Sequence, residues 1–455
     1  MSTNKKHIYK PKPVSGFPEW LPEVRLIEQQ WFDHIRRVFE SYGFCNIETP
    51  SVEELDVISA KGEVDKEIYV IERLHKEEGD KEARLALHFD QTVPLARYVA
   101  QHFNDLTFPF KRYQMQRVWR GERPQAGRFR EFYQCDIDVI NVDALPLHFD
   151  AEMPAIIWEV LSNLPGMENE KIQLRMSNRK ILLGFLEGCD LDYDLHPEVL
   201  RAIDKIEKIG KDKVKSILLD ELNMIEPEAL QILSMAECKL TPDNINSNIS
   251  QYVIAENSTL MQEGIAELIE VMNQLKHLPP GAVVADLSIV RGLDYYTGTV
   301  YETVFTDDPG YGSICSGGRY DDLASSYINK KLPGVGISIG FSRLFARLLE
   351  QDKFNTTRKS PADILMVLLS EETQAQTSAK AQELRGMGYN VEMFHRPQKI
   401  EKQFKYADKK GIPFVYIIGQ DEDSSGDEIK NLLKREQKPA SEAMKDLKEY
   451  KNATS

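Results

Sequence analysis

Residues 117–140 read RVWRGERPQAGRFREFYQCDIDVI, and this stretch carries the strongest structural signal in the chain. Its five arginines lie within fourteen residues: Arg117, Arg120, Arg123, Arg128 and Arg130. Two strand-like runs flank them, which predicts a β-hairpin with a basic tip. A planar guanidinium matches phosphate oxygens in a bidentate manner, so arginines this dense indicate an anion site. The sequence has no GxxxxGK[ST] loop, and a nucleotide would therefore have to be held by arginines on a sheet.

The same stretch resembles the second signature of the class II aminoacyl-tRNA synthetases. In that signature a strand ends in an aromatic residue followed by Arg-x-Glu, and the returning strand carries Arg-x-x-x-Phe. Here these are WRGE at 119–122 and RFREF at 128–132. A second stretch, RGLDYYTG at 291–298, resembles a segment special to histidyl-tRNA synthetases. Because the two together are far more specific than either alone, the chain is identified as a member of that family, and a merely solvated hairpin is disfavoured.

The resemblance implies an α+β fold with three parts. Residues 1–178 and 276–353 would form the class II catalytic domain, an antiparallel sheet with flanking helices. Residues 179–275, rich in Leu, Ile, Glu and Lys, predict a helical insertion. Residues 360–455 alternate strand and helix patterns, which predicts a small α/β domain with a parallel or mixed sheet. In the family this last part binds the anticodon.

Two further segments match the class in form. A helix is predicted over 23–42, followed by a strand that ends at Pro50; in class II enzymes this first signature lies at the dimer interface, so a homodimer is expected. Residues 334–344 (GVGISIGFSRL) predict a β-branched strand, a glycine and a helix with Arg343 in its first turn, which is the form of the third signature.

Composition and charge set limits on partners and location. The formal net charge of −15 argues weakly against a nucleic-acid partner, but a local basic face would suffice for one. In residues 396–410 the lysines recur at helical spacing, which predicts either such a face or a solvated helix surface: Lys399, Lys402, Lys405 and Lys409. Five scattered cysteines without a CxxC pair indicate a reducing, cytoplasmic setting. We find neither a membrane-spanning run nor metal-ligand spacing, so no structural metal is expected.

Adenylation joins a carboxylate to the α-phosphorus of ATP, and it needs positioned positive charge more than a nucleophile. By resemblance, Arg120 would hold the α-phosphate and the amino-acid carboxylate, with Arg291 on the opposite side; these two are the expected catalytic residues. Arg128 and Arg343 would hold the far phosphates, Phe132 would stack on adenine, and Glu122 would lie near the adenine edge. Mg²⁺ is expected to arrive with the phosphates of ATP.

Histidine recognition needs partners for both imidazole nitrogens and for the ammonium group. By resemblance, Asp138 and Tyr296 would hold the imidazole, and Tyr295 and Tyr320 would complete the pocket wall. The segment DQT at 90–92 (Asp90, Gln91, Thr92) and Gln134 would surround the α-amino group, with Arg291 also contacting the amino acid. A pocket of this kind rejects apolar isosteres because its own polar groups would be left unpaired. Arg123 and Gln125 are expected to contact the acceptor end of tRNA for histidine.

Two alternatives remain from other classes of protein. A catalytically inactive paralogue, such as the regulatory subunit of ATP phosphoribosyltransferase, would sense histidine but lack the catalytic arginines and the C-terminal domain. This chain has the C-terminal domain and the four arginines expected around ATP, namely Arg120, Arg128, Arg291 and Arg343. Their presence disfavours an inactive paralogue. A class II synthetase of another specificity would lack the RGLDYY segment and the GGRYD segment at 317–321.

Overall fold

The computed structural model describes residues 9–59, 67–74, 84–124, 127–189, 191–252, 258–290, 292, 295–322, 324–325, 327–419 and 426–454. The chain divides into two units, of which the first comprises Met1–Pro18 and Phe32–Gln351 and the second Glu19–Trp31 and Asp352–Ser455. The boundary between the units falls inside the first helix, α1 (Pro22–Ser41). Within the described part of the chain, no helix is long and apolar enough to cross a membrane.

The remaining elements of the first unit follow in chain order. They are β1 (Cys45–Asn46), β2 (Val52–Glu54), α2 (Leu55–Ser59), β3 (Val70–Ile71), β4 (Leu85–Leu87), α3 (Thr92–Gln101), β5 (Phe110–Trp119), β6 (Glu131–Ile140), α4 (His148–Ser162), β7 (Ile172–Asn178), α5 (Arg179–Leu186), α6 (His196–Ile203), α7 (Ile206–Ile209), α8 (Lys211–Ser216), α9 (Glu226–Ala236), β8 (Lys239–Leu240), α10 (Ile245–Asn248), α11 (Thr259–Gln274), β9 (Val283–Asp286), β10 (Thr299–Phe305), β11 (Cys315–Tyr320), β12 (Gly334–Ile339) and α12 (Phe341–Glu350). Short 3₁₀ or π turns add Tyr193–Leu195, Ile217–Glu221, Ile249–Gln251 and Pro309–Tyr311.

A nine-stranded sheet forms the centre of this unit, in the order β1-β5-β6-β12-β11-β10-β7-β9-β8. The expected antiparallel arrangement holds along its middle, whereas β1 with β5 and β7 with β9 run parallel, so the sheet is mixed. A separate three-stranded sheet has the order β2-β4-β3. The α+β class is therefore confirmed, with a mixed rather than wholly antiparallel sheet.

Strands β5 and β6 are the longest in the molecule's described part, at ten residues each. Side chains alternate between the two faces of a strand, so every second residue of β6 shares one face. On this face the antiparallel register pairs Arg112 with Asp138, Gln114 with Asp136, and Gln116 with Gln134. A row of polar cross-strand pairs inside a sheet is unusual unless the residues serve a site.

Helices α5 and α11 of the helical segment cross at very close range. A Cβ atom placed on Gly184 would lie 2.5 Å from the backbone nitrogen of Met261, so only glycine permits this approach. Helix α5 begins with its N-cap Asn178, whose side chain accepts from the Lys180 amide. The crossing ties the helical segment to β7, from which α5 continues directly.

The second unit contains its own sheet and core. Its elements after α1 are β13 (Ile364–Met366), α13 (Gln374–Gly386), β14 (Val391–Met393), α14 (Ile400–Lys410), β15 (Phe414–Ile417), β16 (Glu428–Asn431), β17 (Glu436–Pro439) and α15 (Ala440–Thr454). The strand order is β14-β13-β15-β16-β17. Strands β14, β13 and β15 run parallel, whereas β16 and β17 are joined by antiparallel pairing. The sheet is therefore mixed, which is one of the two arrangements predicted.

Candidate active site

Three arginines, two of them from the hairpin, line a cavity of about 280 Å³ on the large sheet. Arg120 follows β5, Arg128 belongs to the loop before β6, and Arg343 comes from the first turn of α12. Phe132, Glu122 and Gln134 complete the wall on the β6 side, and residues 313–316 with Ser338 form the other wall. The structure therefore brings together all five residues predicted for ATP, with Gln134, which was predicted for the α-amino group of histidine, in the same wall.

Each of these arginines is held by a neighbour. Arg120 donates from Nε to the carbonyl of Phe89 at 3.1 Å, and its guanidinium lies 5.2 Å from the centre of the Phe132 ring. Arg128 pairs with Glu122 at 3.2 Å. Arg343 donates to the Tyr311 carbonyl and lies 4.7 Å from the centre of the Tyr311 ring. Positive groups fixed in advance around a cavity stabilise developing negative charge without reorganising.

A second, smaller compartment of about 40 Å³ adjoins the first. Ser316 and Ser338 line both compartments, so they mark the boundary between them. Its polar wall contains one threonine, two aspartates and three tyrosines: Thr92, Asp136, Asp138, Tyr295, Tyr296 and Tyr320. A compartment of carboxylates and phenols suits a small heteroaromatic group with N–H donors and acceptors.

Asp138 is fixed on both of its oxygens. Its Oδ2 forms an ion pair with Arg112 at 2.6 Å, and its Oδ1 accepts from the Tyr320 hydroxyl at 2.9 Å. The Arg112 side chain is completely buried. A Cβ atom on Gly336 would lie 2.0 Å from Asp138 Oδ1, so strand β12 can pass this carboxylate only with glycine at that position.

Residues 90–92 lie at the start of α3. Asp90 accepts from the amide of Val93 at 3.1 Å. Gln91 is fully buried and donates to the carbonyls of Gln116 and Gln134, so it braces the two strands and does not line either compartment. Thr92 lines the smaller compartment, and Gln134 lines the larger one while it donates to Ser338 at 2.9 Å.

Burial dominates the electrostatics of the smaller compartment. It raises the pKa of Asp138, although Arg112 and the Tyr320 hydroxyl act in the opposite direction. Burial likewise raises the pKa of Asp136 to about 7, against the opposing influence of Arg112 and Ser338. The pKa of Asp90 is raised by burial and lowered in part by the Val93 amide and Arg120. Carboxylates with a raised pKa in a cleft are typical of a functional site.

The RGLDYY segment is described only in part. Arg291 and Gln125 lie outside the described residues, so their predicted roles stay predictions. Gly292 is held by Arg179, which donates to its carbonyl at 2.6 Å, and the amides of Tyr295 and Tyr296 donate to the same carbonyl at 3.0 Å. Arg123 is exposed in the loop between β5 and β6.

Three residues were not identified from the sequence. Asp136 and Ser338 line the smaller compartment, and Arg112 supports it by pairing with Asp138. The signal was present in the alternation RYQMQ and QCDID, where every second residue is polar on strands otherwise apolar. Charged residues are almost never fully buried unless they are paired, and the pairing was visible only once the cross-strand register was known.

A sheet that presents arginines to one cavity and no glycine-rich phosphate loop is the arrangement of the class II aminoacyl-tRNA synthetases. Comparison with known proteins gives the family. The family model for histidyl-tRNA synthetase matches residues 16–344, and the model for an anticodon binding domain matches residues 363–449. The chain belongs to the histidyl-tRNA synthetase family.

Individual relatives agree with this assignment. A histidine–tRNA ligase of Thermobifida fusca (strain YX) is 52% identical over 97% of this chain and 99% of its own length. The crystal structure of histidyl-tRNA synthetase from Nostoc sp. PCC 7120 superimposes with a TM-score of 0.86 at 39% identity, covering 98% of this chain and all of the other. A Bacillus halodurans C protein described as an ATP phosphoribosyltransferase regulatory subunit/histidyl-tRNA synthetase shares the fold, with a TM-score of 0.71 at 19% identity and coverage of 88% and 97%.

Proposed function

We propose that the two adjoining compartments bind ATP and L-histidine and that the chain is a histidine–tRNA ligase. It forms histidyl-adenylate and pyrophosphate and then transfers histidine to the 3′ end of tRNA for histidine. The observation that carries the assignment of sites is the shared boundary at Ser316 and Ser338. The amino-acid carboxylate and the α-phosphate must meet where the two compartments join.

The described side chains support distinct roles in this reaction. Arg120, fixed over Phe132, is proposed to hold the α-phosphate and the carboxylate together, which lowers the barrier by orientation and by charge stabilisation. Arg128 and Arg343 are proposed to hold the far phosphates, with Phe132 against adenine and Glu122 beside it. Arg291 is proposed on the opposite side of the α-phosphate. No side chain has to act as nucleophile in adenylation.

In the smaller compartment, Asp138, Tyr296, Tyr295 and Tyr320 are proposed to enclose the imidazole. Asp90, Thr92 and Gln134 are proposed to surround the α-amino group. Gln91 donates to the backbone carbonyl of Gln134 and so helps to position that residue. These groups attract an ammonium and reject an apolar side chain, because unpaired buried polar groups are costly.

The residues present fit Mg²⁺ as a companion of ATP. Among the described residues, no cluster of three or more His, Cys, Asp or Glu is arranged to hold a metal ion by itself. Glu122 is the carboxylate of the larger compartment. Bound with the nucleotide, Mg²⁺ would neutralise phosphate charge beside Arg128 and Arg343.

The assay that tests the proposed function is histidine-dependent ATP–pyrophosphate exchange, with the other nineteen amino acids as controls. Exchange with histidine alone is the expected result. Histidine binding without exchange would instead favour a histidine-sensing paralogue, and exchange with another amino acid would refute the specificity. Aminoacylation of tRNA for histidine tests the second step in the same preparation.

We also propose a homodimer in the cytoplasm and the three-part domain division at 1–178 with 276–353, 179–275 and 360–455. The first signature, which in this class lies at a dimer interface, supports the dimer. Exposed apolar side chains on the three-stranded sheet, including Val70, Ile71 and Leu85, are consistent with a further covered surface. All five cysteines are free, which fits a reducing compartment. Light scattering of the purified chain tests the dimer.

The basic face of α14 is proposed to contact tRNA. Lys399, Lys402, Lys405 and Lys409 are exposed, whereas Gln403 and Ala407 on the other side of the helix are buried. We expect Lys402→Glu with Lys405→Glu to weaken aminoacylation at low tRNA concentration and to leave pyrophosphate exchange unchanged. The slope of log affinity against log salt should fall by about 1 for each lysine that contacts a phosphate.

The matched control is Lys445→Glu with Lys448→Glu. Both lysines are exposed on α15 of the same unit, so this pair makes an equal change in net charge. Similar losses in the two double variants would mean that only the total charge matters and that α14 is not the contact surface.

A further inference from the structure

A tyrosine outside the larger compartment holds Arg343 in place. Tyr311 ends the short turn Pro309–Tyr311 between β10 and β11, and it does not line either compartment. Its hydroxyl donates to the Arg343 carbonyl at 2.8 Å. In return, the Arg343 guanidinium donates to the Tyr311 carbonyl and lies 4.7 Å from the centre of the Tyr311 ring. Each side chain thus binds the backbone of the other residue, and the ring restricts where the guanidinium can lie.

A second arginine of α12 packs against the same ring. Arg347 lies one turn after Arg343, with its guanidinium 4.8 Å from the centre of the Tyr311 ring and 4.2 Å from the centre of the Phe305 ring. It is 7% exposed and forms an ion pair with Asp308. Because this carboxylate offsets the second positive charge, two arginines can share one ring without strong repulsion. Tyr311 is therefore held by groups that do not line the cavity.

The loop of the hairpin reaches the same tyrosine. A Cβ atom placed on Gly127 would clash with the Tyr311 hydroxyl oxygen and would lie 3.4 Å from Cγ of Arg343. Gly127 also has a φ of +67°, which favours glycine independently of the space. The next residue is Arg128, the other arginine proposed for the far phosphates of ATP. Tyr311 thus lies where the loop that carries Arg128 meets the helix that carries Arg343.

We propose that Tyr311 is a positioning residue for the far phosphates of ATP, which fixes Arg343 and joins it to the loop that carries Arg128. It touches no substrate and acts through these two arginines. This inference rests on the proposed function of the larger compartment as the ATP site, and it adds to that function a side chain outside the cavity. Burial raises the pKa of Tyr311, although Arg343 and Arg347 act in the opposite direction, so the hydroxyl stays protonated and donates at neutral pH.

The test compares Tyr311→Leu with the wild-type chain in the binding of ATP and of AMP, measured by calorimetry. Leucine removes the ring and the hydroxyl but keeps the backbone carbonyl that Arg343 binds. We expect the Kd for ATP to rise about tenfold and the Kd for AMP, which lacks the far phosphates, to change by less than about twofold. Tyr311→Phe restores the ring, so its Kd for ATP should be only about two- to threefold above that of the wild type. A merely structural role would weaken both nucleotides alike.

A double-variant cycle tests whether Tyr311 acts through Arg343. Arg343→Ala should itself weaken the binding of ATP. Adding Tyr311→Leu should then raise the Kd for ATP by only about threefold or less, because the main partner of the tyrosine is already absent and the effect on the loop alone remains. Full additivity would mean that the two residues act independently and would overturn the proposal. Equal losses of ATP and AMP affinity in Tyr311→Leu, or no loss of either, would also overturn it.

The control variant is Tyr133→Leu. Tyr133 likewise has an arginine against its ring, since the Arg117 guanidinium lies 5.1 Å from its centre, but neither residue lines a compartment. This variant should match the wild type in both Kd values. Thermal unfolding of each variant verifies the fold. Should Tyr311→Leu fail to fold, Tyr311→Phe decides, and an unchanged Kd for ATP in that variant would refute the positioning role. A wild-type chain that binds no ATP would instead refute the proposed function of the compartment.

Discussion

Replacing Arg120 by alanine is expected to lower the rate of histidyl-adenylate formation by about 10²–10³-fold, the cost of removing one fixed donor from a site of developing charge. Arg120 is fixed by the Phe89 carbonyl and lies against the Phe132 ring, so its guanidinium is in place before the substrates arrive. Single-turnover formation of the adenylate measures the effect directly. Binding of histidine should weaken far less than the rate falls.

Arg117→Ala provides the matched control for this prediction. Arg117 lies three residues earlier on β5, pairs with Glu131 at 3.5 Å and lies 5.1 Å from the centre of the Tyr133 ring, but it does not line either compartment. Its loss should leave the rate of adenylate formation within a few-fold of the wild type. Equal losses in the two variants would assign the effect to the overall charge of the hairpin.

Replacing Arg112 by methionine is expected to destabilise the first unit by about 3–5 kcal/mol, because it leaves Asp138 buried without its partner. The ion pair is 2.6 Å long and the arginine is fully buried. The double variant Arg112→Met with Asp138→Asn should recover a large part of the loss, since it removes the uncompensated charge. Urea unfolding followed by circular dichroism, with the transition of the first unit fitted separately, measures both.

Lys111→Met serves as the reference for that experiment. Lys111 is the neighbour of Arg112 on the same strand and pairs with Glu152 at 2.9 Å, but both side chains are partly exposed. A partly solvated pair contributes about 1 kcal/mol or less. If Arg112→Met and Lys111→Met lower the free energy of unfolding equally, burial of the Arg112–Asp138 pair does not increase the cost of breaking it.

The sequence predicted the elements around the hairpin well because their patterns are long and periodic. The two strand-like runs that flank the arginines are Phe110–Trp119 and Glu131–Ile140, and the helix predicted over 23–42 is Pro22–Ser41. The strand expected to end at Pro50 comprises only Cys45–Asn46, because β1 pairs with only two residues of β5. Strong periodicity thus predicted the existence of elements better than their ends.

Other elements were not predicted, for reasons that lie in their composition. Strand β11 (CSGGRY) is rich in glycine, which has low strand propensity, and its place in the sheet depends on close packing against β12. Strands β16 and β17 are short and polar, and helix α15 follows them with a weak apolar pattern. The burial of Asp136 and Arg112 could not be inferred, because burial of a charge depends on partners far away in sequence.

Strand β6 sets the distance between the two compartments, because it carries residues of both. Phe132 in the larger compartment and Asp138 in the smaller one are six residues apart on the same strand, which corresponds to roughly 20 Å at about 3.3 Å per residue. Inserting or deleting a single residue between them would turn one of the two groups to the opposite face of the sheet. Ligands that contact both residues must therefore extend along one face of this strand, and the strand fixes how far apart their two ends lie.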